Sequence, residues 1–382
     1  MQGIRPLSMM STSPSTVNVG SRIRYARDLL GMNQEELKVR LGFNDRQTVS
    51  DIETGKRSVK TEELLLLSEA LDRDVEFFLD PFNVAAEAQY SWRADPHLPG
   101  DELDRFEAQA SGWIGMLRWL REQQPRGNNP LKFSLRLTAQ SSFDQAQRSA
   151  EELVERLQLG PIPSERLADC LERELDIPVL FVETGAHLPA GYISGAACEL
   201  GNLGVILINR RESRTRRSFD LAHELFHTLT WESMRPDRRE SNSAEDRQGA
   251  RRIEQLANAF AAALLMPQVA IDALADPQRL RDVDHLAGLA RQLGVTVGAL
   301  GWRLYNLKRI DGPTRSKLAQ CKPVDSEHAT PLQFSASFVT MLHGALESGR
   351  LSARKAAKTL GMPLSVLVAL FASYQLPAPY EL

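Results

Sequence analysis

The stretch "SFDLAHELFHTLTW", residues 218–231, decides how the second half of this 382-residue chain is read. On a helix His223 and His227 lie about one turn apart and share a face. Two imidazoles so placed can hold one Zn2+, and Glu224 beside the first of them is a residue type able to take and return a proton. Leu221, Ala222, Leu225, Phe226 and Leu229 fall on another arc, so the helix buries an apolar face and carries the histidines at its polar boundary. An ordinary helix with two hydrogen-bonded histidines fits the same residues, and a third ligand has to separate the two readings.

The motif that extends HExxH with a third histidine needs Gly at 230 and His at 233, and Thr230 and Ser233 exclude it. A downstream carboxylate is the alternative. In "RRIEQLANAFAAALLMP", residues 251–267, Ile253, Leu256, Ala257, Phe260, Ala261 and Leu264 form an apolar face, and Glu254 falls on it. A carboxylate among apolar neighbours is costly unless paired, and a zinc ion is a sufficient partner. Glu232, Glu240, Glu245 and Asp246 compete, but they lie in the polar segment 232–250, which has no apolar periodicity and reads as a loop suited to a lid. Asn258, one turn after Glu254, is placed to support a ligand from behind. Upstream, "IPVLFVET", "AGYISGAACEL" and "LGVILINR" are β-branched runs separated by Gly, Pro and Asn turns. They predict a small antiparallel sheet, with "AGYISGAACEL" as the edge along which an extended substrate would pair.

The N-terminal part has a different texture. Residues 17–80 form short apolar-periodic segments, with Gly31 and Gly55 as stops and Asn33 and then Asn44 or Asp45 as helix caps, which suits a helix-turn-helix module. Residues 17–60 carry nine Lys/Arg against six Asp/Glu, net +3, whereas residues 61–80 carry one Arg against seven acids, net −6. That asymmetry assigns a duplex to the first three helices. Arg46, Gln47, Thr48 and Ser50 are the outward candidates for base contacts, and Gln34, Lys56 and Arg57 the candidates for phosphate contacts.

The segment "MNQEELKVRLGFNDRQTVSDIETGKRSVKTEELLLLSEALDRDVEFFL" resembles the Xre (Cro/repressor-like) helix-turn-helix family, with the turn "GFNDRQ" one residue longer than usual. The segments "SFDLAHELFH", "EQLANAFAAALLMP" and "GYISG" resemble ImmA/IrrE-type metallopeptidases over roughly residues 161–311. That resemblance implies His223, His227 and Glu254 as zinc ligands and Glu224 as catalytic acid/base, in a protein that acts on Xre-type repressors of phage and stress-response genes. Asp220 stands where Thr or Ser is usual, as a helix cap, and Phe226 where Gly is usual, narrowing the site. Tyr192, His285, Arg216 and Arg217 remain open as groups that stabilise the oxyanion.

The expected organisation is a disordered tail (1–16), a five-helix DNA-binding domain (17–82), a helical linker or packing region (83–160), a zincin-like metallopeptidase domain with a small sheet (161–311) and C-terminal helices (312–382). The fold class is mainly α with a small α+β domain. Net charge is −3, no apolar run approaches a membrane span, and Cys170, Cys198 and Cys321 form no CxxC pair. These features predict a cytoplasmic protein with reduced thiols and no membrane partner. The expected function is a homodimeric regulator that binds a double-stranded DNA operator and carries a zinc endopeptidase. Its protein substrate is an Xre-type repressor or the chain itself, cut at exposed linkers near 81–100 or 123–130. The alternative is a transcription factor whose peptidase-like domain is a sensor with little or no proteolysis.

Overall fold

The computed structural model describes residues 19–85, 87–124, 133–185, 192–201, 203–240, 248–321 and 329–380. The expected tail 1–16, most of the 123–130 linker, Glu245 and Asp246 lie outside the described residues. The chain divides into two compact units, residues 1–87 with 110–126 and residues 88–109 with 127–382. It is mostly helical with one small sheet.

The first unit opens with α1 (Val19–Leu29), α2 (Gln34–Leu41), α3 (Arg46–Glu53), α4 (Thr61–Leu71) and α5 (Val75–Leu79). Asn33 and Glu36 close a capping box on α2, Gly42 ends it in the left-handed region at φ 68°, and the Asp45 side chain caps α3 by accepting from Gln47 N–H. Ile23, Leu37, Val49, Ile52, Leu67, Leu71 and Phe78 bury the shared apolar face. A β-carbon on Gly20 would lie 2.2 Å from the Ile52 carbonyl oxygen, so glycine is what lets α1 and α3 touch backbone to backbone. Two of the nine basic residues counted above are internal. Arg22 is fully buried and donates to the Phe78 and Asn83 carbonyls, and Arg27 pairs with buried Glu53 at 2.6 Å.

The second unit is built on a four-stranded sheet of β1 (Ala88–Ala94), β2 (Val179–Val182), β3 (Ile193–Leu200) and β4 (Leu203–Asn209), in the order β1-β3-β4-β2. The sheet is mixed. The β1/β3 and β3/β4 pairs are antiparallel, but β2, on the far edge of β4, runs parallel to it. This corrects the expected antiparallel sheet. It also removes β3 as an edge, since β3 is hydrogen-bonded on both sides and β1 is the outer strand. Strand β1 comes from the stretch 81–100 read as helical or exposed linker, and its Ser91 and Trp92 are fully buried.

Helix α6 (Gly100–Glu122) contributes residues to each unit. Next come α7 (Phe143–Arg156), boxed at Ser142 and Gln145, and α8 (Leu167–Glu174). They precede the two helices that matter most, α9 (Arg214–Thr230) and α10 (Gln248–Leu265). Leu225 and Phe226 of α9 and Phe260 and Leu264 of α10 share one core with Ala146 and Leu153 of α7. The helices α11 (Gln268–Leu274), α12 (Val283–Leu293), α13 (Val297–Asn306) and α14 (Gly312–Ala319) extend it, with Leu286, Leu293, Leu300, Leu304 and Leu318 buried. The chain ends with α15 (Ala336–Glu347), α16 (Ala353–Leu360), capped by Ser352, and α17 (Leu364–Ser373). Among the described residues no single helix is long and apolar enough to cross a membrane.

Two glycine substitutions of opposite expected sign test this packing. Gly20→Ala is expected to destabilise the first unit by about 3 kcal/mol or more, since backbone must move to admit the methyl group. Gly288→Ala in α12, where a β-carbon meets nothing within 4 Å, is expected to stabilise by about 0.5–1 kcal/mol. Urea denaturation followed by circular dichroism reads both.

Candidate metal centre

The site grows from the way α9 starts. Its N-cap is Ser213, whose hydroxyl accepts from Arg216 N–H, well before the HELFH residues. Asp220 is therefore mid-helix and does not cap, which corrects that expectation. Instead it lies buried, with Arg93 Nε at 2.9 Å and Arg216 Nε at 3.5 Å. His223 and His227 point together, their Nε2 atoms 3.1 Å apart. Phe226 turns into the core, its ring 5.5 Å from that of Phe260 and 5.8 Å from that of His227.

Helix α10 brings Glu254 to the same point. Its Oε2 lies 3.2 Å from His223 Nε2 and its Oε1 3.5 Å from His227 Nε2. Asn258 Oδ1 sits 3.0 Å from His223 Nδ1 and accepts a hydrogen bond from it, so in the neutral imidazole the lone pair is on Nε2, turned toward the cluster. A fourth group joins them. Glu240 places Oε2 3.4 Å from His223 Nε2 and Oε1 3.8 Å from His227 Nε2. His223, His227, Glu240 and Glu254 are all buried, and one ligand atom of each falls within 4.8 Å of the others.

Arg93 of β1 is the counter-charge. Its Nη1 donates to Glu240 Oε2 at 2.9 Å, and its guanidinium lies 5.9 Å from the centre of the Phe219 ring. Strand β3 closes the floor. A β-carbon at Gly195 would lie 2.7 Å from the Leu207 carbonyl oxygen, so this glycine lets β3 and β4 approach closely, with Glu224 Cγ in ordinary contact at 3.6 Å.

The charges are unevenly shared. Burial first, and then the charge of Glu240, raise the Glu224 carboxyl well above the usual carboxylate range. Burial opposes ionisation of Glu240 and Glu254 as well, but their contacts with His223 and His227 hold both below that range. Burial and Arg93 oppose a charge on His223, yet Glu240 and Glu254 outweigh them and push it up to about 9.

The donor set fits a divalent cation. Both oxygens of Glu224, Oε1 of Glu240 and Nδ1 of His227 are buried without a hydrogen-bond partner. Two imidazole nitrogens 3.1 Å apart, flanked by two buried carboxylates, form a charge-rich cluster of the N/O type that zinc takes.

Sequence reasoning selected His223, His227, Glu224, Glu254 and Asn258, and the structure brings all five together. It missed Arg93, which sits on a strand read as linker, and set aside Glu240, whose polar surroundings give no periodic signal. Among the oxyanion candidates, His285 accepts from Asp276 N–H and Arg217 donates to the Arg210 and Glu212 carbonyls. Arg216 donates to Ser194 Oγ at 3.1 Å.

In the first unit Arg46, Gln47 and Lys56 are exposed, and Thr48 and Ser50 half-buried. Gln47 donates to Asp51, while Gln34 donates to Glu53 and Arg57 forms a two-point bond with Glu63. Gln34 and Arg57 are thus engaged within the unit, and Arg46, Gln47 and Lys56 are the groups presented outward.

The second unit thus holds a buried cluster of two histidines and two glutamates beside a small sheet, and the first unit is a helix-turn-helix. Residues 174–305 match the peptidase family M78 model, the IrrE N-terminal-like domain, and residues 23–78 match a helix-turn-helix family model. The chain therefore joins an Xre-type helix-turn-helix domain to an IrrE/ImmA-like domain. Similar proteins include uncharacterized HTH-type transcriptional regulators of Sinorhizobium medicae (strain WSM419) and Rhizobium meliloti (strain 1021). Each is 38% identical over 68 residues, 18% of this chain and 48% of the relative, so the chain spans about half the length of the curated relatives it matches.

Elemental analysis of the purified chain is expected to find about one zinc per chain. His227→Ala should lose it, and Asn258→Ala should weaken retention about 10- to 100-fold in a chelator competition. Zinc content unchanged in His227→Ala would remove the centre.

Proposed function

We propose that this chain is a cytoplasmic, homodimeric transcriptional regulator that binds a duplex operator and carries a zinc-dependent endopeptidase used in a stress or phage response. The observation that carries the reading is the convergence of His223, His227 and Glu254 with Glu224 buried beside them. Zinc held by these residues supplies Lewis acidity toward a peptide carbonyl and toward water. Glu224, one residue after His223, takes the proton of the attacking water and returns it to the leaving amine. Asn258 fixes the tautomer of His223 through Nδ1. The substrate is an Xre-type repressor or another copy of this chain. It lies extended along the outer edge of β1, where Ala88–Tyr90 border a groove of about 390 Å³ shared with Trp231 and Arg235.

One observation favours a second reading, in which the centre is a sensor without proteolysis. Glu240 adds a fourth protein group to the cluster, and a set of four protein ligands is the closed form typical of structural zinc.

Two measurements test the proposal. Glu224→Gln is expected to retain zinc, fold and DNA affinity while lowering cleavage of a co-expressed Xre-type protein or of the chain itself by about 100-fold or more. Absence of fragments from both wild type and variant, with equal reporter output under stress, would replace the peptidase by the sensor. For DNA, Gln47→Ala should relax base preference by about 1–3 kcal/mol, and Lys56→Ala should weaken all sequences and flatten the salt slope by about 1. Gel-shift titrations on a pseudo-palindromic duplex with half-sites about one helical turn apart read both.

A further inference from the structure

The segment that carries Glu240 does more than deliver a carboxylate. Residues 237–240 lie along the outer edge of β1 in a short parallel bridge. Trp92 N–H donates to Arg238 O at 2.8 Å, and Glu240 N–H donates to Trp92 O at 2.9 Å. Ser91 Oγ donates to Asp237 O at 3.0 Å, and Arg239 Nη2 to Leu98 O at 2.7 Å. The outer edge of β1 is thus occupied at Trp92 by the chain itself, and the same segment ends with its carboxylate among the zinc-site candidates. An extended substrate reaching those groups along β1 needs the backbone groups of Trp92 and a free position beside His223 and His227. Segment 237–240 takes both.

We infer that residues 237–240 form an internal inhibitory strap, in which Glu240 serves as a fourth, displaceable metal ligand and the Trp92 bridge blocks the substrate edge. This deepens the zinc-peptidase reading and rests on it. Displacement is chemically reasonable because the backbone grip is one bridge of two hydrogen bonds. Arg238, the outer anchor, pairs with Asp104 and Glu107 while about half exposed, and such pairs hold weakly. A competing strand that pairs with Trp92 would lift the strap and withdraw Glu240 in one movement. On this view the fourth carboxylate marks a closed resting state and not a permanently structural zinc.

The full-length chain, reconstituted with Co2+ in place of zinc, tests this by visible absorption. Acetohydroxamate, a small chelating probe, is titrated into wild type, Glu240→Gln and the double variant Arg238→Ala/Arg239→Ala, which loosens the strap without touching a candidate ligand. All three should hold cobalt. Glu240→Gln should change the cobalt d–d spectrum and bind the probe about tenfold or more tightly, since its apparent affinity scales with the fraction of open chains. The double variant should keep the resting spectrum and shift affinity in the same direction by less. Cobalt bound by wild type, with spectrum and probe affinity unchanged in Glu240→Gln, overturns the strap and leaves the metal centre standing. Loss of cobalt in Glu240→Gln overturns it too, by making Glu240 indispensable. Failure of wild type to bind cobalt at all sinks the metal centre and the strap together.

Discussion

The second unit depends on one costly arrangement: four carboxylates, Asp220, Glu224, Glu240 and Glu254, are buried around a single stretch of α9. Charges taken out of water are tolerated only when paired, and each has to be compensated locally. Arg93 is placed to compensate two of them, with Asp220 on one side and Glu240 on the other. The two histidines lean on Glu240 and Glu254. A divalent cation at the meeting point would take the two imidazole nitrogens and the carboxylate oxygens of Glu240 and Glu254 at once.

That compensation explains features which otherwise look unrelated. Strand β1 is recruited from a region far upstream because it carries Arg93 to the site. Glycine at 195 is required because a β-carbon there would press on the Leu207 carbonyl oxygen of the neighbouring strand β4. Phe226, bulky where the resembled family has glycine, is accommodated because it faces Phe260 in the core. Burial raises Glu224 while the histidines and Arg93 hold Glu240 low, the pattern by which two neighbouring carboxyl groups take different chemical roles.

The helix-turn-helix unit uses the same device on a smaller scale. Glu53 is buried and receives both Arg27 and Gln34, which ties α1 and the start of α2 to the end of α3. Removing one member of such a pair strands the other in the interior. Arg27 and Gln34 therefore hold the end of α3 in place.

What the sequence determined was local and periodic. The four-residue spacing of His223 and His227, the apolar face that captures Glu254, the helix cap at Asn33, and the three strands between 177 and 210 all follow from patterns that a helix or strand imposes on its own neighbours. What only the tertiary structure decided was non-local. The choice of β1 as an outer strand, the parallel pairing of β2, the engagement of Gln34 with Glu53, and the arrival of Arg93 and Glu240 at the candidate metal site each join residues well separated along the chain. No periodicity records such meetings. A polar loop residue such as Glu240 looks in sequence like any solvated acid, and becomes a candidate ligand only because two backbone hydrogen bonds to Trp92 place it beside two buried histidines.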